Sequence, residues 1–199
     1  MDHWFEHEVT RDALAAYAGE PDLVVHCAGS GSSARATEHP AAAFAQTVGA
    51  TLEVAEFVRT RAPRAALVYP SSGAVYGAAD LVPTPIDAPR RALSAYGDQQ
   101  ALAEDLLRSY AGRNAVRVAI VRLFSVYGPE QRKQLFWDAC RKACLPGATF
   151  LGSGSETRDW VAVADAARLL LLAGSVASPE TPTANGATGV EVSVEAVVT

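Results

Sequence analysis

Hydroxyl side chains that could transfer a proton occur in two neighbouring segments of the sequence. In the first, Ser71 and Ser72 follow an apolar run, and in the second, Tyr96 opens an apolar stretch with helical spacing. A hydroxyl at the carboxyl end of a parallel strand lies where open α/β sheets bind ligands. There it can hydrogen-bond a substrate oxygen while a nearby phenol gives or takes a proton. The two segments therefore predict a proton-transfer site built from Ser72 and Tyr96.

The residue one helical turn after Tyr96 is Gln100, which carries no charge. A cation close to an acid typically lowers its pKa by about 1–3 units, which brings a phenol with an ordinary pKa of about 10 closer to neutral pH. Gln100 keeps the ability to hydrogen-bond a hydroxyl group but supplies no such charge. The sequence therefore predicts a site whose phenol receives no help from a neighbouring cation.

Other motifs for hydroxyl or phosphate chemistry are weaker. Ser72 is not in a Gly-x-Ser-x-Gly elbow and has no matched His and Asp, which argues against a serine hydrolase. Residues 29–34 match the G-x-G-x-x-A pattern, in which glycines let the backbone approach a pyrophosphate. That fingerprint also needs a second strand ending in an acid, whereas a long helix is predicted here. We interpret residues 29–34 as a loop at a strand end, with a pyrophosphate-binding turn as the less favoured alternative.

Short apolar runs alternate with helical patterns along the chain. Strands are predicted at residues 3–9, 22–28, 65–69, 115–124, 148–151 and 190–194. Helices are predicted at residues 11–18, 40–60, 96–111, 131–143 and 163–173. The apolar runs are typical of parallel strands covered on both faces. Their alternation with helices predicts a doubly wound α/β sheet.

The composition excludes several classes of protein. The chain has 199 residues, of which 49% are hydrophobic, enough for one sizeable core. Its net charge is -5 with scattered arginines, which argues against a nucleic-acid partner. The apolar run Leu169–Ala173 is far shorter than the ~20 residues that span a membrane. The three cysteines, with Cys27 in a predicted buried strand, indicate inert thiols in a reducing compartment, and no ligand cluster predicts a metal site. A cytoplasmic protein is expected.

Four ordered motifs carry a resemblance to a known family. They are Ser71–Gly77, Ser94–Glu104, Arg122–Pro129 and Gly152–Val161. Together they resemble the extended short-chain dehydrogenase/reductase family, in its NAD-dependent nucleotide-sugar epimerase/dehydratase branch. The resemblance covers the chain from about Phe5 to Val194. It implies NAD as cofactor, with NADP left open, and a nucleotide-sugar substrate, and it leaves a homodimer open.

The resemblance also implies roles for individual residues. It assigns the catalytic positions to Ser72, Tyr96 and Gln100, where the family usually has lysine at the last. It assigns cofactor contacts to Glu8, Val9, Cys27, Ala28, Gly29, Thr47, Ser71, Tyr96 and Leu123. It assigns substrate contacts to Ser72, Ser125 and Arg158, of which the arginine would clamp the nucleotide diphosphate.

The resemblance finally implies a fold and a reaction. The family opens with a strand, a glycine-rich turn, a helix and a ribose-binding strand, so the expected fold is a Rossmann-like doubly wound parallel sheet lacking its first βαβ unit. Residues 1–128 would form this partial NAD-binding domain and residues 129–199 part of a substrate-binding subdomain, with segments returning to the main sheet. Gly73 and Ala74 stand where dehydratases of the branch carry Asp-Glu, which favours epimerase or reductase chemistry. The alternative is a truncated or degenerate non-catalytic remnant.

Overall fold

A computed structural model describes residues 4–31, 33–132, 134–147, 149 and 152–198. Its strands are β1 (Leu23–Val25), β2 (Ala66–Ser72), β3 (Arg117–Leu123), β4 (Ser125–Tyr127), β5 (Thr157–Ala162), β6 (Thr183–Gly186) and β7 (Glu191–Ser193). Its helices are α1 (Arg11–Tyr17), α2 (Ser33–Glu38), α3 (Pro40–Phe44), α4 (Ala50–Arg61), α5 (Ala95–Asn114), α6 (Gln134–Lys142), α7 (Val163–Val176) and α8 (Val194–Val198). A π-helical segment, Ala45–Gly49, joins α3 to α4, and a 3-10 turn, Gly73–Val75, follows β2.

Within the described residues, the main sheet has four parallel strands in the order β1-β2-β3-β6. Helices α4 and α5 cover one face, where Phe57 and Leu107 pack against Leu67 of β2. Helix α7 covers the other face, where Leu170 packs against Val68. Parallel strands with helices on both faces need apolar side chains in both directions, which is why β2 and β3 are nearly continuous apolar runs. This arrangement confirms the predicted Rossmann-like α/β class.

A second, smaller sheet has the strand order β4-β5-β7. Tyr127 of β4 stacks on Phe136 of α6 at 4.7 Å between ring centroids, and Phe136 meets Trp160 of β5 edge-on at 4.8 Å. After β5, the chain returns to the main sheet through α7 and β6. The small sheet is therefore tied to the end of β3 on one side and to α7 on the other.

Most of the predicted elements are present with shifted ends. The helix predicted at residues 40–60 is continuous in outline but contains the π-helical segment, and α5 continues three residues past the predicted end, to Asn114, where Ala115 has a left-handed φ of 54°. The strand predicted at residues 190–194 is β7, shortened to 191–193. The strand predicted at residues 148–151 lies largely outside the described residues.

Two local predictions are wrong. Residues 4–9 form no strand, because Phe5 and His7 instead stack on Tyr17 of α1, each at 4.7 Å between ring centroids. Cys27 is not in a buried strand, because β1 ends at Val25 and leaves the cysteine exposed in the following loop.

Two kinds of feature are missing from the described ranges. No helix there combines the length and the apolar character needed to cross a membrane. No group of three or more His, Cys, Asp or Glu side chains there is arranged to hold a metal ion.

Candidate active site

The Ser72 hydroxyl and the Tyr96 phenol meet at the carboxyl end of β2. Ser72 is the last residue of β2, and its hydroxyl accepts the backbone N–H of Ala74 at 3.2 Å. Tyr96 lies in the first turn of α5, which is capped by the Ser94 hydroxyl. The Ser72 hydroxyl is close enough to Tyr96 to lower the pKa of its phenol. The structure thus brings together the two hydroxyl groups that the sequence singled out.

A glycine lets the two segments approach this closely. Gly97 follows Tyr96 directly, and a Cβ atom built on it would lie 2.6 Å from the backbone oxygen of Ala74. That distance is too short for a real contact, so any other residue would push α5 away from the 3-10 turn after Ser72. The start of α5 is therefore fixed against the end of β2 by close backbone packing.

The Tyr96 phenol is a weaker acid than a tyrosine in water. Burial raises its pKa, and the nearby Ser72 side chain offsets part of that rise. Gln100 is 6% exposed, and its side-chain oxygen accepts a hydrogen bond from the Tyr69 hydroxyl at 2.7 Å. The amide at position 100 is thus bonded to β2 and contributes no charge to the site.

Glu104, two helical turns after Tyr96, is the centre of a buried ionic cluster. Arg122 of β3 donates to both of its oxygens, at 2.9 and 2.7 Å. Ser71 donates to Oε1 at 2.6 Å, and Arg108 donates to Oε2 at 3.1 Å. Burial alone would raise the pKa of Glu104, but the bonds from Arg122 and Ser71 outweigh it and leave this pKa lowered. The carboxyl group is therefore an anion held by several donors.

Arg122 extends this cluster to the loop after the 3-10 turn and to β6. Its Nη1 donates to the Tyr76 hydroxyl at 2.7 Å and to the Ile86 carbonyl at 3.1 Å. Tyr76 in turn donates to the side-chain oxygen of Asn185 at 2.7 Å. The cluster consequently joins α5, β2, β3, β6 and the loop between β2 and α5. Sequence reasoning assigned no role to Glu104 and Arg122, although an arginine within an otherwise apolar predicted strand signals a buried counter-charge.

The loop after β1 lies against the π-helical segment. Thr47 is 1% exposed, and its hydroxyl oxygen accepts the backbone N–H of Ser30 at 3.1 Å. A Cβ on Gly29 would lie 3.5 Å from that same oxygen. The Ser30 hydroxyl is buried without a hydrogen-bond partner among the described residues. Because buried polar groups are normally satisfied, this hydroxyl fits a polar group of a ligand or a water molecule.

The remaining predicted site residues occupy different positions. Glu8 is exposed before α1, and Val9 packs at the margin of the core. Leu123 lies opposite Ser72 in the register of β2 and β3. Ser125 and Arg158 both lie in the small sheet, where Ser125 faces Trp160 and Arg158 faces Val192 across the strands. Ser71 is 3% exposed, and its hydroxyl donates to Glu104.

His26, at the end of β1, is a buried neutral side chain. It is 4% exposed, and its Nε2 is 3.1 Å from the Thr51 hydroxyl, which donates to the Thr47 carbonyl at 2.6 Å. Burial lowers the pKa of His26 from 6.5 to about 4. Between these two values the unfolded chain binds a proton that the folded chain does not, so stability falls as the pH falls.

We expect this histidine to make the protein less stable in mild acid. Between about pH 7.5 and pH 5, it should remove about 2 kcal/mol from the free energy of unfolding. Urea unfolding at the two pH values measures this loss, which His26→Gln should largely abolish. The exposed His39 is the matched control, and His39→Gln should leave the loss unchanged. An identical pH dependence in His26→Gln and the parent would contradict the assignment.

Comparisons with known proteins find a matching family and several similar proteins. The model of the NAD dependent epimerase/dehydratase family matches residues 3–183. The UDP-glucose 4-epimerase of Mycolicibacterium smegmatis is 29% identical over 79% of this chain and 52% of its own length. UDP-arabinose 4-epimerase 1 of Arabidopsis thaliana is 27% identical over 72% of this chain and 38% of its own length. MoeE5, solved in complex with UDP-glucuronic acid and NAD, superposes with a TM-score of 0.82 at 29% identity and covers 93% of this chain and 63% of its own. The chain thus spans about half or less of the length of these curated relatives.

Proposed function

The chain belongs to the NAD-dependent epimerase/dehydratase family, and we propose that it is a nucleotide-sugar epimerase-type oxidoreductase/isomerase. The observation that carries this proposal is the approach of Ser72, at the carboxyl end of a parallel strand, to Tyr96 in the first turn of α5, where the backbones of Gly97 and Ala74 pack closely. Two similar proteins act at C4 of UDP-sugars by name, which supports a UDP-sugar substrate. The chain spans only part of the length of these relatives, so the statement that it acts on such a sugar by itself is also part of the proposal.

The reaction requires a base and a proton path at the sugar. Tyr96, as phenolate, removes a proton from a sugar hydroxyl, and Ser72 bridges the phenol oxygen and that hydroxyl. NAD, when bound, supplies the acceptor for the hydride that leaves the same sugar carbon. When the resulting keto sugar turns and is reduced on its other face, Tyr96 returns the proton. Because Tyr96 and Ser72 act together on one sugar hydroxyl at the carboxyl end of β2, the distance between their oxygen atoms must be fixed.

The residues present fit the cofactor at the strand ends. The unpartnered hydroxyl of Ser30 lies beside Gly29 and Thr47. The cofactor is proposed to be lined by Cys27, Ala28, Gly29, Thr47, Ser71 and Leu123. Glu8 and Val9 are proposed to lie at its adenine end. The choice of NAD over NADP follows from the family description.

The substrate positions lie in and beside the small sheet. Arg158 on β5 is exposed, and its planar, permanently charged guanidinium group suits a diphosphate. Ser125 on β4 is proposed to contact the sugar or phosphate. We place the boundary between the cofactor and substrate parts at residues 128 and 129. The homodimer also remains a prediction, and sedimentation velocity of the purified chain tests it.

One observation favours a second candidate, a non-catalytic member of the family. The family's lysine position holds Gln100, and its side chain is bonded to Tyr69. The burial that raises the pKa of Tyr96 is then opposed by no cation at that position. Such a chain would bind a nucleotide-sugar or a partner without turning it over.

An assay of the purified chain separates the two candidates. UDP-glucose and UDP-arabinose are each incubated with NAD, and C4 epimers are resolved by chromatography. We expect slow epimerisation of at least one sugar that Tyr96→Phe lowers about a hundredfold, because general acid–base groups contribute about 10²–10⁴. Tyr110→Phe, at a tyrosine that contacts Arg59 away from the site, is the control. Turnover that survives Tyr96→Phe would refute the proposed site, and the absence of turnover would favour the non-catalytic candidate.

A further inference from the structure

Ser71 and Ser72 are adjacent residues at the end of β2, and each interacts with a different residue of α5. Successive side chains of a strand alternate, and Leu67 and Tyr69 of β2 pack in the core on the α5 side. Ser71 continues this series and donates to Glu104 of α5 at 2.6 Å. Ser72 has extended φ and ψ of -133° and 145°, and its side chain lowers the pKa of Tyr96 in the first turn of α5. The direction of the Ser72 hydroxyl therefore depends on how the strand end is held through Ser71.

Glu104 holds the end of β2 in two ways, through α5 and through Arg122 of β3. It lies on the helix that carries Tyr96, eight positions later, so it ties the same helix to β2 at a second point. It also binds Arg122 through both oxygens, and Arg122 is the register partner of Ser71 in β3. The carboxylate thus fixes the ends of β2 and β3 relative to α5 just one residue before Ser72.

We propose that Ser71 and Glu104 are positioning residues, which align the Ser72 hydroxyl with Tyr96 by locking the end of β2 to α5. This proposal rests on the proposed function only for the catalytic role of Ser72 and Tyr96. The alignment of the two side chains itself exists without cofactor or substrate. The Ser71 hydroxyl acts through Glu104 rather than on a ligand. Such a role explains why the residue directly before Ser72 is also a serine and why its hydroxyl is buried.

The test follows the Tyr96 phenol in the ligand-free protein. Tyrosine labelled with ¹³C at Cζ is incorporated into the full chain, Tyr96 is assigned by Tyr96→Phe, and its ionisation is followed from neutral to alkaline pH. In Ser71→Ala, loss of the aligned Ser72 hydroxyl should raise the Tyr96 pKa by roughly one unit. Ser71→Thr, which keeps the hydroxyl, should restore the parent titration.

A control on the same cluster separates positioning from general stability. Thr183 accepts a hydrogen bond from Arg108 at 2.9 Å on the side of the cluster away from β2. Thr183→Val should lower the melting temperature about as much as Ser71→Ala but leave the Tyr96 titration unchanged. If Ser71→Ala does not fold, Ser71→Cys, a weaker donor of similar shape, takes its place with the same expected direction. An unchanged titration, or equal shifts in both variants, would overturn the inference, whatever the epimerase assay shows.

Discussion

Lysine in place of Gln100 is expected to lower the pKa of the Tyr96 phenol by about 1–3 units. Below the pKa, this corresponds to a roughly ten- to thousandfold larger fraction of phenolate. The new ammonium group would lie one helical turn from Tyr96, in a site where burial now raises the phenol's pKa. The Tyr69 hydroxyl, which now donates to Gln100, can rotate and accept from the lysine instead. Epimerisation at neutral pH should rise by less than the phenolate fraction, because a less basic phenolate is a poorer base.

Charge and shape are separated by a matched variant. Gln100→Met keeps the length of the side chain but supplies neither charge nor an acceptor for Tyr69. It should leave the Tyr96 titration within about half a unit of the parent, whereas Gln100→Lys should shift it downward. The ¹³C titration of Tyr96 and the UDP-sugar assay are run on all three proteins. The same titration curve for the lysine variant and the parent would show that another group sets the acidity of this phenol.

The part of the site that could be predicted depends only on sequence patterns within single strands and helices. Ser72 ends an apolar strand and Tyr96 starts an amphipathic helix, and in an α/β sheet strand ends and helix starts meet at one edge. The helical spacing also placed Gln100 one turn from Tyr96. These inferences need only the periods of strand and helix.

The rest depends on contacts between distant residues. Tyr69 is a natural strand residue whether or not it bonds Gln100, so no local pattern distinguishes the two cases. The donors to the Glu104 carboxylate, Ser71, Arg108 and Arg122, come from three elements, and only the folded chain shows which arginine binds both oxygens. The segment from Trp4 to Val9 fits a strand by composition. In the structure, however, its rings stack on Tyr17 and the segment pairs with no strand in the described part of the chain. Local patterns cannot rank such alternatives, because the outcome depends on contacts with Tyr17, which lies ten or more residues further along the chain.

Removing Arg122 is expected to have the largest effect on folding. Arg122→Met leaves the fully buried Glu104 carboxylate without its two-point partner, and breaking a buried ion pair typically costs about 3–5 kcal/mol. Natural domains have unfolding free energies of only about 5–15 kcal/mol, so the variant should be close to unfolding at room temperature. The loss should follow pH with a definite sign. Because the folded pKa of Glu104 is lowered, the stabilisation is present above the ordinary carboxyl pKa and is lost as the pH falls through the folded value.

A double-mutant cycle tests whether the cost arises from the unpaired charge. Glu104→Gln combined with Arg122→Met removes both charges, so the pair should be less destabilised than the sum of the single variants, by at least about 1 kcal/mol. Arg168→Met is the control, because the exposed pair of Arg168 and Asp165 should contribute no more than about 1 kcal/mol. Urea unfolding at neutral pH gives the four free energies of the cycle and that of Arg168→Met. If Arg122→Met costs no more than Arg168→Met, the buried cluster does not hold β2, β3 and α5 together, and the alignment of Ser72 with Tyr96 must come from backbone packing around Gly97 alone.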